Sequence, residues 1–108
     1  MASFTGKVLL KEEKGSSVLT LDGIPVAKLF EPFNDQDILL SIYQLHPQEG
    51  TVFIQNCHGT ADVFYFEGEQ QFYTGTKYVN DFYIDDEDII HKLESLVDMD
   101  VRLTVNEE

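Results

Sequence analysis

The sequence predicts a mainly β (α+β) fold: a small antiparallel barrel or roll of about seven or eight short strands, with one C-terminal helix over 86–97 placed before the last strand. Three observations carry this. Short apolar runs alternate with period two along most of the chain, and glycine- or proline-bearing turns separate them at short intervals. Only one run, Ile89, Ile90, Leu93, Leu96 and Val97, has its apolar residues at helical spacing. With 108 residues and 43% hydrophobic content, residues 1–108 form a single domain able to bury its own core.

The first strand is expected at Lys7 to Lys11, where Val8 and Leu10 share one face and Leu9 takes the other. Polar residues Glu12 to Ser17 then read as a turn. Val18 to Leu21 and Ile24 to Phe30 flank Asp22-Gly23, a pair suited to a two-residue hairpin whose central residues both need positive φ. That hairpin sets Leu21 opposite Ile24 and Leu19 opposite Val26. Pro25 cannot donate to a ladder, so its strand is expected to begin at an edge or with that bond turned to solvent.

Residues 37–45 fit two templates. Ile38, Leu40 and Ile42 alternate as a strand; Ile38, Leu39, Ile42 and Leu45 also fit one helical face, with Asn34 as a cap and Pro47 beyond the end. The strand is preferred, because Ile and Tyr favour it and Pro47 and Gly50 lead into the next strand. A meander follows: Thr51 to Gln55, a turn at Asn56 to Gly59, Ala61 to Phe66, a turn at Glu67 to Gln70, and Gln71 to Thr74, punctuated by Gly75. Tyr78 to Ile84 sets Tyr78, Phe82 and Ile84 on one face and Val79 and Tyr83 on the other. The helix follows, capped by Asp85 or Asp86, with Glu87 and Asp88 near the positive end of its dipole. Val101 to Val105 closes the chain with Val101, Leu103 and Val105 inward. No internal repeat, linker or low-complexity segment stands out.

These glycine-spaced strands resemble an oligonucleotide-binding barrel, but that fold sets its helix between the third and fourth of five strands. Here the helix precedes the last strand, and the motifs of no family are matched.

Charge sets the functional expectations. Twenty Asp and Glu against seven Lys and Arg give a net charge of −13, which repels phosphates and anionic headgroups. Direct nucleic-acid binding and membrane binding are therefore not expected. No apolar stretch suits a signal peptide or a spanning helix, and the single cysteine, Cys57, suits a reducing compartment; a cytoplasmic protein is expected.

Catalytic and metal motifs are wanting. Cys57-His58 falls in an expected turn, and neighbours in sequence do not make a nucleophile and its base. His46, His58 and His91 with Cys57 match no ligand spacing, and His91 pairs more simply with Glu87. Asp85 to Asp88 lack the alternate ligands and central glycine of a calcium loop, and Asp35 and Asp37 read as turn and cap residues. Gly68 and Gly75 form no phosphate cradle. The expectation is a protein that is not an enzyme and has no cofactor.

The aromatic cluster Phe64, Tyr65, Phe66, Phe72, Tyr73, Tyr78, Phe82 and Tyr83 could stack bases, but only Lys77 interrupts Asp62, Glu67, Glu69 and Asp81. One face of each strand is expected to pack inward, leaving the tyrosines of the other for a protein partner. The leading expectation is an acidic interaction module that binds a basic protein, as a nucleic-acid mimic or inhibitor in its sharpest form. Its site comprises Tyr65, Glu67, Glu69, Tyr73, Tyr78, Asp81, Tyr83, Asp85, Asp86, Glu87 and Asp88. The alternatives are a barrel or small enzyme with an internal small-molecule site, and a structural homo-oligomer joined by self-association of an edge strand such as Val101 to Val105.

Overall fold

Alternating apolar residues, tight turns and one helical stripe assemble as the sequence predicts, into an antiparallel sheet curled as a half-barrel. The computed structural model describes residues 2–13, 16–69 and 76–107. Among these the chain runs β1 (Ala2–Glu13), β2 (Ser16–Leu21), β3 (Ile24–Pro25), α1 (Val26–Phe30), a 3-10 turn at Glu31–Phe33, β4 (Asp37–His46), β5 (Gly50–Glu69), β6 (Thr76–Ile84), β7 (Glu87–Asp88), α2 (Ile89–Glu94) and β8 (Asp100–Glu107). The strand order is β3-β2-β1-β8-β4-β5-β6-β7.

Residues 37–45 are a strand, paired with β5 on one side and β8 on the other. The Asp22-Gly23 hairpin forms with both residues at positive φ (52° and 89°), and Leu21 faces Ile24. The strand beyond it stops at Pro25, however, so Leu19 never meets Val26. Val26–Phe30 is α1 instead, because Val26, Ala27 and Phe30 bury on one helical face while Lys28 stays exposed. The later helix is shorter than 86–97: Asp88 is its N-cap, accepting from the His91 amide at 3.1 Å, and Ile89 and Leu93 are its buried residues.

The expected turn at Asn56 to Gly59 is absent. A single strand of 20 residues replaces two expected ones, bending near Gly59 so that its first part pairs with β4 and its second with β6. The expected turn at Glu67 to Gln70 gives way to strand as far as Glu69; its remainder and the expected strand at Gln71 to Thr74 lie outside the described residues. β8 is not an edge. Its residues 101–105 pair with β1 on one side and β4 on the other, with Val101, Leu103 and Val105 fully buried.

The sheet carries an internal repeat that the residue pattern hides. Adding 63 to positions 19–42 gives 82–105, and the two segments fold alike. Asp22 and Asp85 (22 + 63) both sit at φ 52°, and Asp35 and Asp98 (35 + 63) at φ 67° and 71°. Asp22 Oδ1 accepts from the Lys7 amide at 2.8 Å, as Asp85 Oδ1 accepts from the Thr60 amide at 3.0 Å. The Asp35 amide donates to Ala61 O at 2.8 Å, as the Asp98 amide donates to Val8 O at 2.7 Å. The β4–β8 register, Ile38 with Glu107 through Gln44 with Val101, maps onto itself under the shift, so a pseudo-two-fold axis runs between these central strands.

Two wings flank that centre: β1–β2 from Val8 onward, and β5–β6 from Ala61 onward. They curl towards each other over a core in which Phe30 stacks on Phe82 at 4.6 Å and meets Phe4 at 5.0 Å. Asn80 fastens the seam. Its Nδ2 donates to Leu19 O at 3.1 Å and its Oδ1 accepts from the Ala27 amide at 2.8 Å. No helix among the described residues is long and apolar enough to cross a membrane.

Candidate functional site

The β5–β6 wing turns alternate residues inward and outward. Ala61, Val63, Phe82 and Ile84 are buried, and Tyr65 packs against the same core. The opposite parity therefore faces out: Asp62 is opposite Tyr83, Phe64 opposite Asp81, and Phe66 opposite Val79. Phe64 is 55% exposed and Phe66 48%, unusually open for aromatic side chains. The outer face is thus a checkerboard of phenyl rings and carboxylates, continued by Asp88 opposite Tyr83. Its negative field is legible in Tyr83, whose phenol is pushed above its ordinary range first by Asp88, then by partial burial, Asp81 and Asp62.

The structure divides the expected site residues. Asp81, Tyr83 and Asp88 meet on this face. Tyr65 and Glu67 lie on the other, the Tyr65 hydroxyl donating to Glu67 Oε2 at 2.8 Å and Lys28 Nζ standing 6.0 Å from its ring. Asp85 is spent on the Thr60 amide, and Glu87 pairs with Lys92 at 4.0 Å. Asp86 is exposed beside them. Tyr73 and the side chains of Glu69 and Tyr78 lie outside the described residues. Phe64 and Phe66, in the expected aromatic cluster but not among the expected binding residues, also lie on the outer face. Their parity with Asp62 was the available signal, since a strand face that presents a carboxylate to water presents its i+2 and i+4 neighbours there too.

The other candidates have structural roles. Cys57 is buried in mid-strand, with its thiol pushed up by burial and only partly relieved by the Gln55 Nε2 contact at 3.2 Å. That is the reverse of what activates a nucleophile. His46 Nδ1 accepts from the amides of Gln48 and Glu49, both at 3.1 Å, and so closes the β4–β5 hairpin. His91 stands 3.4 Å from Glu94, not beside Glu87 as expected. Asp37 accepts from the Thr60 hydroxyl at 2.6 Å, and Asn34 Oδ1 from the Val63 amide at 2.8 Å. Among the described residues no group of three His, Cys, Asp or Glu side chains could hold a metal ion.

Two clefts, of about 280 and 210 Å³, open on either side of Val18 along the seam between the wings. Both are small for a ligand site, and both are open grooves at the seam. No family model, curated protein or solved structure matches this chain.

Proposed function

We propose that this protein is a non-enzymatic docking module and that the outer face of the β5–β6 wing binds a basic protein. One observation supports it above the rest: Phe64 and Phe66 lie exposed among Asp62, Asp81 and Asp88, on a chain of net charge −13. Exposed rings supply area to desolvate on contact, and aromatic residues are enriched at interfaces. The surrounding carboxylates steer a cationic surface in and repel an anionic one, so charge sets the partner and the rings set the affinity. The equivalent face of the β1–β2 wing offers neither, since its Val18 and Thr20 are 2% and 0% exposed.

The test compares the wild type with Phe64→Ala/Phe66→Ala and with Leu10→Ala, each immobilised in host lysate at low salt and eluted by a salt gradient. The reading expects a basic protein that wild type and Leu10→Ala retain, that the double variant loses, and that elutes as salt is raised through about 0.1–0.5 M, where screening is strong. Equal retention by the double variant, or elution indifferent to salt, would overturn it. Competition by duplex DNA for the captured protein then separates mimicry of a nucleic acid from simple docking.

A further inference from the structure

We propose that two copies of this chain associate through the first part of β5, residues 50–57, pairing edge to edge about a two-fold axis near Phe53 and Ile54. β5 gives one edge to β4 along residues 50–60 and the other to β6 only from Ala61. Residues 50–57 therefore have no strand along their second edge among the described residues. A strand edge in this state is a template for another strand.

The occupant follows from charge. Between Ile38 and Ala61 the chain has one charged residue, Glu49, in 24 positions; the remaining 84 positions (108 − 24) hold the other 26 charges (27 − 1). Two copies at −13 repel over most of their surface, and this hairpin is where they can meet with the fewest opposing carboxylates, Glu49 at its turn and Glu87 beside Cys57. A basic partner gains nothing there. Phe53 is 49% exposed and Ile54 41%, so apolar area is available beside the backbone groups. Of the usual protections against edge pairing, the segment has only a bulge where the register slips between Ile42 and Tyr43; it has no lysine, proline or inward charge.

Geometry sets the register. At Thr60 the same edge is taken by Asp85, whose amide donates to Thr60 O at 3.0 Å. An antiparallel partner centred near Phe53 and Ile54 spans 50–57 and stops short of that contact. Such an interface is isologous and closes at a dimer.

Sedimentation equilibrium of the full chain from about 1 to 300 µM, the range where weak dimers appear, tests this. A reversible dimer is expected, tightening with added salt as like-charge repulsion is screened. Ile54→Glu should weaken it at least about tenfold, and Leu10→Glu, at a position no less exposed on the other wing, should not. Circular dichroism of both variants checks that each still folds. A monomer throughout the range, or a dimer indifferent to Ile54→Glu, would overturn the proposal. The opposite salt dependence keeps this result separate from binding of a basic partner.

Discussion

The two halves of the molecule share a backbone and differ in almost everything the backbone does not require. Across the 24 aligned positions, 19–42 and 82–105, five residues are identical: Asp22/Asp85, Glu31/Glu94, Asp35/Asp98, Asp37/Asp100 and Leu40/Leu103. Four of those five are acids, and Asp22/Asp85 and Asp35/Asp98 hold the left-handed positions where a short polar side chain costs least. Inward positions keep apolar character but exchange shapes, with Leu19 and Phe30 in one half answered by Phe82 and Leu93 in the other. Outward positions share nothing: Val18 and Thr20 are covered, whereas Asp81 is exposed and Tyr83 half-buried. A repeat conserved in its turns and free on its surface lets one wing cover its outer residues while the other keeps Phe64, Phe66 and Asp81 exposed.

The largest effect expected breaks the core that both halves share. Phe30 is fully buried and touches Phe4, Phe33 and Phe82. Phe30→Ala should cost about 3–5 kcal/mol, a large part of the stability of a domain this size. Its equivalent, Leu93→Ala, removes a smaller side chain and should cost about 2–4 kcal/mol. Because Phe30 and Phe82 are in contact, the double alanine variant should fall short of additivity by about 0.5–1.5 kcal/mol in urea unfolding.

Next come the two glycines that admit the Asp turns. A Cβ at Gly6 would stand 2.5 Å from Asp22 Oδ2, and one at Gly59 would stand 2.3 Å from Asp85 Oδ2. Gly59 also sits at φ 156°. Both alanine variants should therefore lose about 1–3 kcal/mol, Gly59→Ala the more, since it combines a close contact with an unfavourable backbone. If thermal unfolding shows Gly6→Ala to be the costlier, the equivalence of the two turns fails.

The seam sharpens the comparison in the other direction. Asn80 bridges Leu19 O and the Ala27 amide, while its equivalent across the pseudo-two-fold is Ser17 (80 − 63). Asn80→Ala should cost about 1–3 kcal/mol, because two part-buried backbone groups lose their partner. Ser17→Ala, at an exposed position, should stay within about 0.5 kcal/mol. Equal costs would mean that the seam is held elsewhere.

The contrast between halves also explains what the sequence could show. Local rules worked where they acted alone: Asp22-Gly23 needs positive φ, β8 alternates cleanly, and the apolar periodicity around Ile89 and Leu93 marks a helix. They failed where tertiary packing chose. Val26 to Phe30 carries branched and aromatic residues that suit a strand, yet becomes helix because Ala27 and Phe30 must reach the core over Asn80. Asn56 to Gly59 carries turn residues, yet stays extended because β4 pairs along its whole length. The repeat is hidden in the sequence because hydrophobic class, not identity, is what recurs. The candidate face is legible in part: of the residues expected to meet a partner, Asp81, Tyr83 and Asp88 lie on the outer face and Tyr65 on the inner, because the parity of Ala61, Val63 and Tyr65 against Asp62, Phe64 and Phe66 shows only once the register is known.

The smallest effect expected is electrostatic and isolates the open wing. Tyr83 has a raised phenol because Asp88, then partial burial, then Asp81 and Asp62 disfavour its anion, whereas its equivalent Thr20 cannot titrate. With the folded value above the unfolded value of about 10, the neutral phenol's contribution is fully present below that pH. It is lost as pH rises through the folded value. Phenolate absorbance, taken as the difference between wild type and Tyr83→Phe, should therefore show a midpoint above about 10. Asp88→Asn, which keeps an α2 cap, should lower that midpoint more than Asp81→Asn, and Asp81→Asn more than Asp62→Asn. Added salt should shrink all three differences. A basic protein docked on the same face would bring positive charge to Tyr83 and pull its midpoint down, so one titration reports both the carboxylates that surround the ring and the partner they are proposed to attract.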